Sequence, residues 1–511
     1  KYICSMKYLF SFVAFLCTLS INSIAQNFNR PITSEIFPYE FQLLDSTLNF
    51  YYALGMYKLS SGPSDPLYIQ PKAMILDSKG YNVWYGSNPN STMMTDFKYD
   101  SASNHFFVSD RALWLSQPTI MDTNFNIEQQ LTAVNATSVD SHDFKRLANG
   151  NYAILGTMDS IFDLSAFTFN GNPGSASTNC KCNLIEIVDP NNNLLWEWNS
   201  CNYLHPSEGY DHYGYNAGNY DYAHFNSFDE DYDGHYLVSF RHLNAIVKIN
   251  STSGEIVWRL GGKLNDFTFA NDTGFSGQHS AERRPSGYIS LLDNGNMSAS
   301  PLESRAVEYE LDTMLWEAIL QDEYTHSPSV YGRSTGSYYR WNNSKIINFG
   351  RVFRPAPSIV TSNGINQLQA LAFFQDSVMS YRVHPFQPKF SFNRPEITCL
   401  DSAGTVFLAA EAGYSDYLWS SGETVQLIEP IADSTYQVWV PHGIGKISSK
   451  PVFYTASYCS TVNAIEVEGV PPHLIRTIDL LGRAIETYKN GQIYLEIYSD
   501  GTTKKICYLK D

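Results

Sequence analysis

Charged side chains are scarce in this chain, and positive ones scarcest. Asp, Glu, Lys and Arg make up 17% of 511 residues, with 34 Lys and Arg against 51 Asp and Glu. The resulting net charge of −17 argues against nucleic acid as a partner, because gripping a phosphate backbone requires a basic face. Long hydrophobic runs are missing too. The apolar stretch Leu9 to Leu19 falls short of the roughly 20 residues of a membrane span, and no later segment comes closer. Nor does a sustained 3.6-residue amphipathic pattern follow it, so a helical fold is not expected. Cysteine is sparse, with 8 residues, and no further Cys/His pair at zinc spacing accompanies Cys180, Cys182 and Cys201.

What is plentiful points to β structure. Hydrophobic residues reach 43%, with 35 Tyr and 30 Phe, too much apolar surface for a disordered chain. Frequent Gly and Asn between aromatic and β-branched runs predict many short strands joined by tight turns. The length predicts several domains, or one large β architecture with small modules.

The segment from Met6, MKYLFSFVAFLCTLSINSIAQ, has a basic start, an apolar middle and a small-residue site at Ser23-Ile24-Ala25. It reads as a secretory leader over 1–25, and the residues before Met6 read as an over-extended frame. An exported chain can form disulfides. Cys399 with Cys459, and Cys201 with either Cys180 or Cys182, are the expected pairs.

A repeat organises the middle of the chain. HDFKRLANGNYAILG from His142, HFNSFDEDYDGHYLVSF from His224 and HSAERRPSGYISLLDNG from His279 share one plan. Each has a His, a polar turn with Gly150, Gly234 or Gly287, and then an apolar strand. Each leads to a hairpin ending at Trp196, Trp258 or Trp316, spaced 62 and 58 residues apart. A unit of that size, with about four strands, is one propeller blade. Weaker copies, such as FKYDSASNHFFVSD upstream and SYYRWNNSKIINFGRV downstream, bring the expected number to six between residues 40 and 385.

Matched positions in three blades should aim His142, His224 and His279 into one channel mouth. Arg241, in SFRHLNAI, joins them. Imidazoles and a guanidinium suit a tetrahedral oxyanion. Three histidines can also hold zinc, but a cation beside Arg241 would be repelled, so no metal is expected. The run Asp229, Asp231, Asp233, Gly234 imitates half of a calcium loop but lacks its later Glu, and is read as a hairpin turn. The tyrosine-rich HPSEGYDHYGYNAGNYDY segment before His224 could stack an aryl ring. Tyr220, Tyr222 and Asn226 are the expected substrate contacts.

On these residues the chain resembles the arylsulfate sulfotransferases. The similarity runs over DYAHFNSFDEDYDGHYLVSFRHLNAIVKINSTSGEIVWRLGG, FSGQHSAERRPSGYISLLDNGN and SHDFKRLANGNYAILG. The resemblance implies a six-bladed propeller over 26–390 that moves a sulfuryl group between phenols without phosphoadenosine phosphosulfate or another cofactor. It places the transiently sulfated nucleophile on His279, within Gln278-His279-Ser280-Ala281. It places supporting roles on His142, His224 and Arg241. His224 is assigned proton transfer and His142 sulfate binding, a division the motif itself leaves open. The competing reading is a non-catalytic secreted propeller that binds a surface ligand or glycan. A formylglycine sulfatase is excluded, because its C/S-x-P-x-R motif is absent.

After residue 390 the pattern changes. EITCLDSAGTVFLAAEAGYSDYLWSSGETVQLIEPIADSTYQVWV, with Cys399, Trp419 and Tyr436, predicts a small immunoglobulin-like sandwich over 391–462, read as a spacer. The remainder, 463–511, resembles a C-terminal sorting domain of the type IX secretion system of Bacteroidetes-like bacteria. The matching features are Asp479-Leu480-Leu481-Gly482-Arg483, Gly491 with Tyr494, Asp500-Gly501 and Lys504-Lys505. It implies export through the periplasm to the surface or medium of a Gram-negative cell, with that secretion machinery as a partner.

Overall fold

The computed structural model describes residues 30–58, 70–87, 91–112, 117–298, 300–375, 377–402, 405–455 and 458–459, together with parts of 474–508. The leader at 1–25 and the expected boundary near Ala464 lie outside them. Among the described residues strands dominate, with four short 3-10 turns. Among the described residues no helix is long and apolar enough to cross a membrane.

Among the described residues six largely antiparallel sheets are each built on four neighbouring strands, with one parallel outer strand in the fourth. The first holds Ser91–Asp100, His105–Ala112, Thr119–Met121 and Ile127–Gln130. The second holds Ser138–Arg146, Tyr152–Phe162, Thr178–Val188 and Leu194–Asn199. The third is Phe225–Glu230, Tyr236–Phe240, Ala245–Ile249 and Ile256–Gly261. The fourth is His279–Arg283, Ile289–Asp293, Arg305–Asp312 and Glu317–Tyr324, with Thr268–Phe269 at its outer edge. In the fifth, Tyr39–Leu43 pairs outside Ser337–Trp341, Ser344–Asn348, Ile359–Asn363 and Leu368–Phe374. The sixth joins Val378–Phe386 to Tyr51–Lys58, Lys72–Leu76 and Asn82–Gly86. The opening strands touch in chain order, and that of the sixth sheet touches that of the first. The arrangement is all-β and propeller-like.

The repeat explains the hairpins. Gly150, Gly234 and Gly287 have φ of 93°, 76° and 90°, the left-handed region that favours glycine, each between the first two strands of its sheet. A lone small sheet is marginal in water; these are stabilised face to face. Leu237, Ile246, Trp258 and Leu260 of the third sheet pack with Leu291, Val307 and Tyr309 of the fourth. Each large apolar side chain so buried contributes about 1.5–3 kcal/mol.

The segment expected as a spacer is hydrogen-bonded to the sixth sheet. Gly445–Ser448, Val438–His442 and Leu418–Trp419 extend it beyond Asn82–Gly86, with Lys446 opposite Tyr85 and Ile447 opposite Trp84. Trp439 Nε1 donates to Asn82 Oδ1 at 2.8 Å. The rest of 391–462 forms a three-stranded and a two-stranded sheet. The last described sheet contains Leu474–Asp479, Gln492–Tyr498 and Thr503–Tyr508; Leu480-Leu481-Gly482, Gly491 and Asp500-Gly501 lie outside the described residues. Cys182 is bonded to Cys201 and Cys399 to Cys459, while Cys180 is a buried thiol. The Asp run is a turn whose carboxylates serve ion pairs. Asp229 meets Lys145, Asp231 meets Lys248 at 2.8 Å and Arg283 at 2.9 Å, and Asp233 meets Lys248 at 2.6 Å.

Candidate active site

Three opening strands break register where the histidines lie. The shifts fall between Ile154 and Gly156 opposite the His142 segment, between Phe225 and Ser227, and between His279 and Glu282. An extra residue bends a strand and re-aims its side chains. His224 and Ser280 take φ of 53° and 54°, a conformation costing non-glycine residues on the order of 1–3 kcal/mol. Specific bonds hold it. Arg241 N donates to His224 O at 2.9 Å and His242 N to Ala223 O at 3.0 Å. Ser280 Oγ donates to Gly336 O at 3.0 Å. Gln278, fully buried, anchors the approach to His279 through Ser239 Oγ and the carbonyls of Phe240 and Ala245.

The result is a cavity of about 390 Å³ lined by His142, His224, His242, His279 and Arg241, with Arg333, Arg351, Thr335, Tyr57 and Tyr381 also on its wall. The rings of His142 and His224 lie 4.9 Å apart, and His224 stacks on His242 at 4.4 Å. Tyr381 bridges the group, 5.5 Å from His142 and 5.9 Å from His279. Its hydroxyl is buried without a hydrogen-bond partner, as is Arg241 Nε. Each charged residue on this wall is basic.

Two imidazoles are backed by carboxylates. His142 Nδ1 meets Asp140 Oδ1, and His224 Nδ1 meets Asp221 Oδ2 at 2.6 Å. Burial works against charge on Asp140 and Asp221, but His142 and His224 hold the two carboxyls below their ordinary range. Each acid fixes its ring, so that Nε2 is the free nitrogen.

His279 is backed by an amide instead. Its Nδ1 lies 2.7 Å from Asn294 Oδ1 and 2.9 Å from Gly277 O, and Thr335 N donates to its Nε2 at 3.1 Å. Asn294 Nδ2 donates to the carbonyls of Gly332 and Thr335, which fixes Oδ1 as the atom facing the ring. Two acceptors at Nδ1 and a donor at Nε2 put the proton on Nδ1. Burial first, and then the Arg241 cation, hold His279 well below 6.5, so it is neutral. Burial and the neighbouring His224 likewise bring His242 down to about 3.

Arg241 opens the 3-10 turn Arg241–Leu243. Its Nη2 donates to Asn296 Oδ1 at 3.3 Å and Arg333 O at 3.4 Å, and its guanidinium lies 4.7 Å from the Tyr213 ring centre.

His142, His224, His279 and Arg241 thus share one cavity. The expected substrate contacts Tyr220, Tyr222 and Asn226 do not join them, because apolar packing and buried hydrogen bonds claim their side chains. Tyr220 and Tyr222 are buried in the hydrophobic core, where Tyr222 Oη donates to Leu204 O at 3.0 Å. Asn226 is buried with Nδ2 donating to Gln278 O at 2.6 Å. From the tyrosine-rich segment it is Tyr213 that reaches the site, stacked on His242 at 4.5 Å. Sequence reasoning missed His242, Asn294, Arg333, Arg351 and Tyr381. Adjacency to Arg241 was a signal for His242; the other four lie outside the His-bearing positions of the repeat.

One group of metal-type donors occurs among the described residues: Asp221, His224 and His242, with ligand atoms within 4.8 Å of one another. They are committed to each other. Asp221 Oδ2 serves His224 Nδ1, and His242 Nδ1 lies 2.5 Å from Asp221 O. Arg241 shares a cavity with His224 and His242, and its cation would oppose a metal.

Comparison with known proteins adds a family. A family model described as "Arylsulfotransferase (ASST)" matches residues 55–364. No curated protein matches. Among solved structures, a protein of unknown function from Bacteroides caccae has 11% identity and a TM-score of 0.43, covering 66% of this chain and 100% of that one. A virginiamycin B lyase from Staphylococcus aureus has 11% identity and a TM-score of 0.31, covering 73% and 96%. TolB from Acinetobacter baumannii has 10% identity and a TM-score of 0.33, covering 65% and 67%.

Proposed function

The chain belongs to the arylsulfotransferase (ASST) family, and on that premise we propose that it moves a sulfuryl group from a phenolic sulfate to a phenol through a sulfo-His279 intermediate, without phosphoadenosine phosphosulfate. The six sheets act as six blades whose opening strands surround the reaction channel. The observation that carries the mechanism is the contrast between a neutral, amide-backed His279 and the carboxylate-backed His142 and His224.

His279 Nε2 attacks sulfur as the bond from sulfur to the aryl oxygen breaks. The ring keeps its Nδ1 proton, which donates to Asn294 Oδ1 and Gly277 O as positive charge develops. Attack frees the Thr335 N–H from Nε2, at 3.1 Å in the resting site, to donate to a sulfuryl oxygen. Arg241, with its unused Nε, and the Tyr381 hydroxyl stabilise the remaining oxyanion charge. His224 gives a proton to the departing phenolate and later removes one from the acceptor phenol, with Asp221 as the counter-charge. The acceptor oxygen then attacks sulfur, the S–N bond breaks, and neutral His279 is restored. His142 orients the sulfuryl group. Catalysis is positioning and charge stabilisation, as in phosphoryl transfer.

The leader and the C-terminal segment support export to the cell surface or medium through type IX secretion. An assay with 4-nitrophenyl sulfate, with and without added phenol, tests the activity. Phenol-dependent release of 4-nitrophenol and formation of phenyl sulfate are expected. No release under either condition would favour a non-catalytic binding propeller.

A further inference from the structure

An aryl sulfate monoester carries one negative charge, and Arg241 is sufficient to meet it. The same cavity of about 390 Å³ also holds Arg333 and Arg351. Several arginines elsewhere in the molecule face carboxylates: Arg283 meets Asp231, Arg305 meets Asp272 and Asp293, and Arg340 meets Glu308 and Asp322. Among the described residues no carboxylate is paired with Arg241, Arg333 or Arg351, and none lines the cavity. The acids behind its histidines, Asp140 and Asp221, are committed to His142 and His224. Arg333 also pushes against Arg241 electrostatically. Three guanidiniums gathered without acids, in a chain of net charge −17, are complementary to more than one anion.

The backbones that carry Arg333 and Arg351 are tied in place. Arg351 N donates to Ser334 O at 3.2 Å, so the two arginine-bearing loops are bonded to each other. Gly350, at φ 71°, approaches so closely that a Cβ there would lie 2.3 Å from Thr335 Oγ1. Arg333 O accepts from Arg241 Nη2 and Asn296 Nδ2. Loops fixed in this way lose little freedom when a ligand binds.

We propose that the natural donor is a dianion, an aryl sulfate bearing a second oxyanion such as a carboxylate or sulfate on its ring, and that Arg333 and Arg351 bind that second group. The cavity volume suits one aromatic ring with two such substituents. The proposal rests on the sulfuryl-transfer reading for which group faces His279.

The test is calorimetric titration of the full chain with 4-carboxybenzenesulfonate and 4-carbamoylbenzenesulfonate. Neither can transfer a sulfuryl group, and they differ by one charge. The carboxylate should bind at least about tenfold more tightly, and the double variant Arg333→Gln, Arg351→Gln should bring the ratio close to one. Equal affinities for the wild type, binding of neither ligand, or a preference that survives in the double variant overturns the proposal. If the double variant misfolds, the wild-type ratio keeps the proposal falsifiable, because equal affinities overturn it. A dianion preference without any transfer from 4-carboxyphenyl sulfate to a phenol would remove the sulfuryl-transfer reading and leave the two-anion site standing. Transfer with equal affinities would remove the two-anion site alone.

Discussion

At the scale of single residues, what separates the four imidazoles is what stands behind each. Asn294 offers His279 a neutral carbonyl oxygen at 2.7 Å, so the ring meets the substrate uncharged, and burial and Arg241 keep it so. Protonation would remove the nucleophilic lone pair, and the folded value lies well below 6.5. Formation of the sulfo-enzyme should therefore persist well below pH 6.5 and fail only in more acidic solution; rapid-quench labelling across pH checks this. Replacing Asn294 by Ala removes its buried bonds to Gly332 O and Thr335 O together with the one that orients His279, the last worth about 1–3 kcal/mol. Transfer should fall about 10–100-fold with the far-UV spectrum unchanged, whereas an unaffected rate would deny the amide its positioning role.

At the scale of elements, the hairpin of the third sheet shows how a motif that imitates one function can serve another. Asp231 joins Lys248 and Arg283, tying the third sheet to the fourth. Burial pushes its carboxyl up, but Arg283 and Lys248 outweigh that and bring it down to about 2 from 3.8. A lowered folded value stabilises above the unfolded value and is lost as pH falls. The contribution, on the order of 2 kcal/mol, is present above about pH 4 and disappears toward pH 2. Asp231→Asn should lose about that much at pH 7, and its deficit against wild type should shrink in acid; equal urea midpoints at pH 7 would contradict the assignment. The strands of this region were legible because turn glycines and hairpin tryptophans recur at fixed offsets. The histidine positions were legible for the same reason, since matched places in a repeat share a direction. Tyr220 and Tyr222 misled because composition marks a segment as aromatic but not which rings face inward; both went to the core, and Tyr213 took the site. Asn294, Arg333, Arg351 and Tyr381 reach the cavity from positions outside the His-bearing places of the repeat, so nothing periodic marks them.

At the scale of the whole molecule, the pairings hidden from the sequence are the long-range ones. Tyr51–Lys58 lies between Val378–Phe386 and Lys72–Leu76, and no local pattern announces a partner more than 300 residues away. The same holds for residues 391–462, read as a spacer, whose strands continue the sixth sheet. Ending the chain after residue 390 would bare the edge of Asn82–Gly86 and uncover Trp84, both now covered by Gly445–Ser448. Exposed edges invite aggregation. The shortened protein should unfold at lower temperature and associate, as scattering-detected melting would show; an unchanged melting temperature would restore the independent spacer. If the C-terminal sheet is a sorting signal, intact mass of protein from the native host should show loss of residues from about Ala464, and a full-length C-terminus would count against it.

In the proposed reaction the sulfuryl group rests on His279 between donor and acceptor. The most direct measurement is peptide mass analysis after incubation with 4-nitrophenyl sulfate and no phenol, quenched without acid. The account predicts a gain of one sulfuryl group on the peptide containing His279, discharged when phenol is added and absent from His279→Asn, which should retain the fold but turn over donor only at background. A His279→Asn enzyme that transfers at the wild-type rate, or a label on any other residue, would contradict it.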